Sequence, residues 1–320
     1  MNGTNNLKIS VAIPCYNVSK HIEEVINSLP LEISYIIVVN DCSTDSTQAV
    51  LEKLALGNSK MHIVVHPSNM GVGGAMISGY KKSLELGADI TIKLDGDGQM
   101  DTANIQKLIN PLISGKADFS KGNRFRDLKA LQSMPPVRRI GNLGLSFLIK
   151  AASGYWNIFD PTNGFTAIKN ETLAEVNFNK LHKRYYFETS MIAELYFCNA
   201  VIYDVPMKAR YADEVSGLSS TKTLFEFPPK LLVTFLRRIL LKYFLFDFNI
   251  GSLYLLTGIP IFMYGVIFGL LKFEKYDKLG IGAPTGTVIL PTLLIILGFQ
   301  LLLAGLAFDV NNYPKKRLGM

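Results

Sequence analysis

The fold is decided by residues 7–56, which read LKISVAIPCYNVSKHIEEVINSLPLEISYIIVVNDCSTDSTQAVLEKLAL. Apolar runs at 9–13 and 35–39 each precede a segment whose apolar residues have helical spacing, at 19–29 and 46–56. An apolar run followed by such a segment is the pattern of a β-strand and its crossover helix. The repetition of this unit predicts a parallel sheet with helices packed against it.

The same alternation continues along the chain. The further segments that it predicts are strands at 61–65 and 90–94 and helices at 73–86 and 102–113, and two more helices are predicted at 142–153 and 187–197, where the pattern is less regular. Each repeat has the ordinary length of a strand with its crossover connection. We therefore predict an α/β fold with a mostly parallel sheet flanked by helices.

Polar residues follow each of the four predicted strands, in the segments 14–17, 40–45, 68–74 and 95–99. In open parallel sheets, ligands bind beyond the carboxyl ends of the strands. We expect these four segments to converge on one crevice.

The segment that points most directly to chemistry is IKLDGDGQ at residues 92–99. Asp95 and Asp97 stand one residue apart after an apolar strand, and the amide of Gln99 follows on a turn that contains glycine. Hard divalent cations prefer such oxygen ligands and leave open positions for phosphate oxygens. The segment predicts a Mg²⁺ or Mn²⁺ site at Asp95, Asp97 and Gln99.

The C-terminal third of the chain has the composition of a membrane anchor. Residues 251–271 and 288–308 carry no charged residue, and each run is long enough to cross a hydrocarbon core of about 30 Å. Residues 229–250 mix apolar side chains with lysine and arginine, which is typical of a helix at a membrane surface. We predict a domain at 1–228, an amphipathic helix at 229–250 and a two-helix hairpin within 251–320.

Charge indicates how this anchor is oriented. The net charge of the chain is +7, and many of its basic residues lie beside the apolar segments. Lipid headgroups are therefore the expected partner rather than nucleic acid. Basic residues flank the hairpin on its outer sides, which predicts that both termini and the domain at 1–228 face the cytoplasm at the inner membrane. The N-terminus has no secretory signal pattern. The three cysteines have no paired or metal-ligand spacing, which suits a reducing compartment.

Three motifs in order resemble those of family-2 glycosyltransferases, which have a GT-A fold. They are VAIPCYN at 11–17, VVNDCSTDST at 38–47 and the Asp95-Gly96-Asp97 element. The resemblance covers about residues 8–217. With the two-helix tail, the chain is most similar to polyprenyl-phosphate glycosyltransferases and relatives of dolichol-phosphate mannose synthase.

The resemblance implies a donor site for a nucleotide diphosphate sugar, with a uridine nucleotide favoured. The residues implied in donor binding are Pro14, Tyr16, Asn17, Asp41, Asn69, Gly71 and Asp95. Asn40 and Cys42 depart from the family pattern, where Asp and Gly are common, so base recognition is less well defined than the metal site. The four histidines fit no ligand spacing and receive no role.

The resemblance also implies an acceptor side. Asp160 and Glu188 lie in segments similar to the family's acceptor motifs, and with Asp97 they form the predicted catalytic set. Asp160 or Glu188 could act as a general base toward a hydroxyl acceptor. A lipid phosphate is already largely anionic at pH 7 and needs little base assistance. The arginines implied in binding phosphate are Arg124, Arg138, Arg139 and Arg210.

These implications predict an inverting, metal-dependent transfer of a sugar to a membrane lipid phosphate, with undecaprenyl phosphate expected. Transfer to a sugar hydroxyl of a lipid-linked glycan is the alternative within the enzymes. A non-catalytic membrane scaffold is the alternative from another class, although the intact Asp41, Asp95 and Asp97 argue against it. The resemblance leaves a homo-oligomer open.

Overall fold

The computed structural model describes residues 7–124, 136–207 and 220–315. The chain divides into two compact units, here called the sheet unit, which runs through Phe235 and includes the residues after Tyr313, and the hairpin unit, Leu236–Tyr313. Residue 228, the end of the first predicted domain, lies inside a helix, Ser220–Leu240.

The sheet unit is built on seven strands. They are β1 Ile9–Cys15, β2 Ile33–Asn40, β3 Met61–Val65, β4 Ile90–Lys93, β5 Phe119–Asn123, β6 Thr166–Lys169 and β7 Ile202–Pro206, in the spatial order β3-β2-β1-β4-β6-β5-β7. Strand β6 runs antiparallel to both of its neighbours, and all the other pairings are parallel. The predicted α/β fold with a mostly parallel sheet is confirmed.

Helices cover both faces of this sheet. They are α1 Ile22–Asn27, α2 Thr47–Leu56, α3 Val72–Glu85, α4 Ile105–Ile113, α5 Pro136–Ser153, α6 Asn170–Glu175 and α7 Phe187–Phe197, and they are followed in the chain by a further helix, α8 Ser220–Leu240. Successive side chains of β1 show the two layers, because Val11 and Ile13 join one hydrophobic cluster while Ala12 joins the other. A strand buried on both faces is mostly apolar, and in β1 the one hydroxyl side chain, Ser10, is buried.

Helix α1 is shorter than the segment 19–29 predicted from the sequence. The amide of Ser19 donates to Asp45 Oδ2 at 3.2 Å, and the amide of Val18 donates to Thr47 Oγ1 at 3.0 Å. These bonds hold the segment before α1 against the loop after β2, so it does not enter the helix. The loops at the carboxyl edge of the sheet are therefore tied to one another.

The hairpin unit contains a π-helical segment at Leu241–Phe246 and two long helices, α9 Ile250–Leu279 and α10 Thr285–Asn311. Both helices are long and apolar enough to cross a membrane, with mean hydropathies of 1.9 and 2.3. The predicted spans 251–271 and 288–308 lie inside them.

Glycines let α9 and α10 pack closely. A Cβ at Gly298 would stand 2.5 Å from the backbone nitrogen of Phe262, and one at Gly265 would stand 2.9 Å from that of Ile295. The two helices therefore approach to a distance at which a side chain at these positions does not fit.

A buried ion pair also lies in the hairpin unit. Arg238 binds Asp309 through two hydrogen bonds of 2.6 and 2.9 Å, and the hydroxyl of Tyr243 donates to the same carboxylate at 2.6 Å. Arg238 is only 1% exposed. The pair joins the start of the unit to the last turn of α10.

Candidate active site

The loops that follow β1 and β2 form one surface. The side-chain oxygen of Asn17 accepts from the amide of Thr44 at 2.8 Å, and the amide of Asn17 donates to Ser43 Oγ at 3.1 Å. Asn17 has a positive φ of 55°, a conformation that asparagine tolerates better than most residues. Tyr16 stands 49% exposed beside it. Two of the four predicted polar segments, 14–17 and 40–45, are thus in direct contact.

Asp41 joins the third segment to this surface. Its Oδ1 accepts from the amide of Met70 at 2.8 Å and its Oδ2 from the amide of Gly71 at 2.7 Å, while the side chain of Asn69 donates to the Asp41 carbonyl at 3.3 Å. Asp41 is buried. Both carboxylate oxygens are therefore bonded within the chain, and they hold the loop at 67–71 against the end of β2.

Position 71, a glycine, has no room for a side chain. Its φ is +83°, and a Cβ would stand 2.6 Å from the carbonyl oxygen of Lys183. Only glycine adopts such a conformation without strain. The loop is therefore packed tightly against the segment that precedes α7.

His66 belongs to the same cluster, although the sequence analysis gave it no role. Its Nδ1 lies 2.7 Å from Asp41 Oδ1 and its Nε2 lies 2.8 Å from Ser78 Oγ. The sequence signal was its position directly after β3, at the edge where ligands bind. Ligand spacing along the chain did not reveal it because its partners lie 25 and 12 residues away.

The fourth segment carries the predicted metal ligands. Asp97 Oδ1 accepts from the amide of Gln99 at 3.0 Å, and Gly98 turns the chain with a φ of +76°. A Cβ at Gly96 would lie 3.4 Å from the carbonyl oxygen of Pro14, so this turn adjoins the loop after β1. All four predicted segments meet at the carboxyl edge of the sheet.

The donor atoms of this turn fit a hard divalent cation. Asp95, Asp97 and Gln99 offer only oxygen ligands from side chains, which suit Mg²⁺ and Mn²⁺. Within the described residues there is no group of three or more His, Cys, Asp or Glu side chains able to hold a metal. A cation bound here would need further oxygen ligands to complete its coordination.

Lys93 links this turn to Glu188, a residue predicted to lie on the acceptor side. Lys93 Nζ lies 2.7 Å from Asp95 Oδ1 and 3.3 Å from Glu188 Oε1. Burial acts to lower the pKa of the Lys93 ammonium group, but the charges of Asp95 and Glu188 outweigh it and raise this pKa. Burial, and secondarily the charge of Asp95, raise the pKa of Glu188 even though Lys93 opposes the shift.

Asp160 and Arg124 form a second pair. Arg124 donates from Nε to Asp160 Oδ2 at 2.7 Å and from Nη2 to Oδ1 at 2.9 Å. Burial acts to raise the pKa of the Asp160 carboxyl, but the hydrogen bonds and charge of Arg124, with the charge of Lys121, lower it. Asp160 is thus held as an anion with a φ of +50°, and it orients the Arg124 guanidinium.

Two buried lysines that were not predicted as site residues donate hydrogen bonds to the turn at 159–164. Lys93 Nζ donates to the Gly164 carbonyl at 3.2 Å, and Lys121 Nζ donates to the carbonyls of Phe159 and Asp160. A small cavity is lined by both lysines and by Glu188. The signal in the sequence was a single lysine inside each of two otherwise buried strands, where an unpaired charge is costly.

The side chains of the other three predicted arginines lie outside the described residues. Arg138 and Arg139 lie on α5, but their side chains fall outside the described residues, as does the whole of Arg210. Their predicted contacts with phosphate stay predictions.

Comparisons with known proteins agree with this geometry. Glycosyl transferase family 2 matches residues 10–176. The UDP-N-acetylglucosamine–dolichyl-phosphate N-acetylglucosaminyltransferase of Methanococcus voltae is 34% identical over 220 residues, covering 64% of this chain and 86% of that protein. The undecaprenyl-phosphate mannosyltransferase of Micrococcus luteus is 26% identical over 63% of this chain and 83% of its own.

A solved structure has a similar fold. Glucosyl-3-phosphoglycerate synthase from Mycobacterium tuberculosis gives a TM-score of 0.51 at 20% identity, covering 73% of this chain and 80% of that one. The chain described here belongs to glycosyltransferase family 2. It is a glycosyltransferase with a GT-A fold, followed by two apolar helices that fit a membrane anchor.

Proposed function

We propose that this enzyme transfers a sugar from a nucleotide diphosphate sugar to a polyprenyl phosphate at a membrane. Two relatives that act on different sugars, according to their names, share a dolichyl or undecaprenyl phosphate acceptor. We propose undecaprenyl phosphate as the acceptor and UDP-N-acetylglucosamine as the first donor to test, because the 34% identical relative is named for that donor.

One observation carries the proposal. Asp95, on the donor side, and Glu188, on the acceptor side, contact the same ammonium group of Lys93. The two halves of the predicted site are therefore adjacent, as transfer between two substrates requires.

The proposed reaction is a single in-line displacement. An oxygen of the lipid phosphate attacks the anomeric carbon, the bond to the nucleotide diphosphate breaks, and the configuration inverts. The acceptor is anionic at pH 7 because its second pKa is about 6. We propose that Arg124, which Asp160 holds in orientation, binds phosphate oxygens through its planar guanidinium group. A divalent cation held by Asp97, Gln99 and Asp95 would neutralise charge on the departing diphosphate.

A hydroxyl acceptor on a lipid-linked glycan is a second candidate, and Glu188 is the observation that favours it. A general base works best when its pKa lies near the working pH. Burial raises the pKa of Glu188, whereas the contacts with Arg124 lower that of Asp160. If the acceptor is a hydroxyl, Glu188 is therefore the better base of the two.

The two long apolar helices support a location at the inner membrane. An even number of crossings returns the chain to the side that it left. With basic residues at both outer ends of the hairpin, we propose that the sheet unit and both termini are cytoplasmic.

The proposal is tested by transfer of radiolabelled sugar from a panel of nucleotide sugars to undecaprenyl and dolichyl phosphate. The assay compares wild-type membranes with those containing Asp97→Ala, with Mg²⁺, Mn²⁺ or a chelator. We expect an acid-labile labelled lipid that wild type makes only with metal, and a loss of about 10²- to 10³-fold in Asp97→Ala, as for other contacts that stabilise developing charge.

Two other outcomes would change the proposal. Label in a glycan product, with none on either lipid phosphate, would favour the hydroxyl acceptor. Full transfer by Asp97→Ala in the presence of chelator would contradict the proposed metal site.

A further inference from the structure

The Lys93 ammonium group lies against three oxygen atoms from separate parts of the chain. It donates hydrogen bonds to Asp95 Oδ1 at 2.7 Å and to the Gly164 carbonyl oxygen at 3.2 Å. It also forms an ion pair with Glu188 Oε1 at 3.3 Å. Lys93 is 1% exposed and lies on the last residue of β4, where the sheet holds its backbone in place.

Each of the three oxygen atoms around Lys93 Nζ belongs to a different part of the site. Asp95 begins the turn that carries the predicted metal ligands, Gly164 ends the turn that carries Asp160, and Glu188 lies in the first turn of α7. The ammonium group therefore lies between two carboxyl groups that come from different elements. Without Lys93, these two carboxyl groups would face each other with no cation between them.

The packing around this group leaves little freedom. A Cβ at Gly164 would collide with Lys93 Nζ and would stand 3.0 Å from Asp95 Oδ2. The ammonium group and both carboxylates are therefore confined by the backbone of the 159–164 turn as well as by their mutual contacts.

We propose that Lys93 is a positioning residue for sugar transfer, which holds the donor-side carboxylate of Asp95 and the acceptor-side carboxylate of Glu188 at one fixed separation. This inference rests on the proposed function. A misplacement of about 1 Å between reacting groups costs on the order of 10²-fold in rate, so a fixed separation matters for catalysis more than for folding.

Lys121 offers a matched control. It is also 1% exposed or less, it also binds carbonyls of the 159–164 turn, and its ion-pair partner is Asp204 at 3.7 Å. The contacts described for Lys121 include neither Asp95 nor Glu188. Replacement of either lysine by methionine removes a buried charge and keeps an unbranched side chain of similar length. The two variants therefore differ mainly in which carboxylates lose their partner.

The first test is binding of UDP to the full-length protein in detergent, measured by calorimetry with and without Mn²⁺. If Lys93 only added positive charge near the metal site, Lys93→Met would strengthen the effect of Mn²⁺ on UDP affinity. If Lys93 positions Asp95, the same variant weakens that effect, and we expect a loss of about 10-fold, with UDP binding in chelator unchanged. Lys121→Met should retain more of the Mn²⁺ effect than Lys93→Met.

The second test is a double-mutant cycle on kcat for sugar transfer. Residues that act as a unit give losses that do not multiply. We expect Lys93→Met to lower kcat about 10²-fold, and the Lys93→Met/Glu188→Gln variant to lose at least 10-fold less than the product of the two single losses. The KM for the nucleotide sugar should change much less than kcat.

The outcomes separate the inference from the function on which it rests. Wild-type protein that neither transfers sugar nor binds UDP with Mn²⁺ would overturn both. Active wild type with stronger Mn²⁺-dependent UDP binding in Lys93→Met, or with losses that multiply in the cycle, would overturn the positioning role alone. A Lys93→Met variant that loses thermal stability but keeps its kcat would do the same.

Discussion

The sheet unit and the hairpin unit both bury charged side chains, but they use them differently. In the sheet unit, Lys93, Lys121 and Asp160 lie at the carboxyl edge of the sheet, and each binds loop backbone as well as another charge. In the hairpin unit, Arg238 donates to Asp309, and the hydroxyl of Tyr243 donates to the same carboxylate. The difference teaches that burial of charge alone does not mark an active site. What marks one is a set of partners drawn from several loops.

The largest expected effect is on the hairpin unit. Removal of one partner from a buried ion pair typically costs about 3–5 kcal/mol, because the remaining charge is left without compensation. We expect Arg238→Met to lower the thermal stability of the detergent-solubilised protein strongly, as followed by circular dichroism of its helices.

The double variant Arg238→Met/Asp309→Leu sharpens this prediction. Apolar replacement of both partners of a buried pair is often neutral or stabilising, so the second change should recover much of the loss. Equal destabilisation by the single and double variants would mean that packing, rather than the uncompensated Asp309, causes the effect.

A second prediction concerns the helix crossing in the hairpin unit. A Cβ at Gly298 would stand 2.5 Å from the Phe262 backbone nitrogen, so Gly298→Ala must push α9 and α10 apart. We expect a cost of about 1–3 kcal/mol, the usual range for overpacking. Gly286→Ala is the matched control, because a Cβ there meets nothing within 4 Å. Thermal unfolding of the two variants side by side checks the difference.

The smallest expected effect is a change in acid stability. The pKa of Asp160 is lower in the folded chain than the value of about 3.9 for an unfolded aspartate. The folded chain therefore binds fewer protons, and this group stabilises it above about pH 3.9 and ceases to do so as the pH falls through the lowered pKa.

Asp160→Asn removes that titration. We expect the variant to be less stable than wild type at pH 7, with the gap narrowing below about pH 3.9. Thermal melts across the acid range measure the gap. A constant difference between the two proteins at every pH would show that the Arg124 pair does not shift the titration of Asp160.

The sequence could predict the elements whose signal is local. Periodicity placed strands β1 to β4 and the helices that pack beside them, but it did not predict β5, β6, β7 or α6. The position of polar segments after strands β1 to β4 correctly predicted that these segments meet. The first residue of α1 was predicted too early because Asp45 and Thr47 bind the segment before the helix, a contact between loops that no local pattern encodes.

The site was only partly predictable for a similar reason. The sequence marks Asp95 and Asp97 because they stand together on a turn. It does not mark Lys93 as a partner of Glu188, which lies 95 residues later in the chain, nor His66 as a partner of Asp41. Such pairs depend on which strand ends the sheet brings together.

The outer surfaces of α9 and α10 have a consequence for how the enzyme is assayed. Their apolar side chains are largely exposed, with only 11% and 17% of the most apolar windows buried. If the acceptor is a polyprenyl phosphate, as proposed, the enzyme and its acceptor both lie in the same lipid bilayer. The rate of transfer should then follow the mole fraction of acceptor in the bilayer rather than its concentration in the bulk, and addition of inert lipid at constant acceptor should slow the reaction by surface dilution.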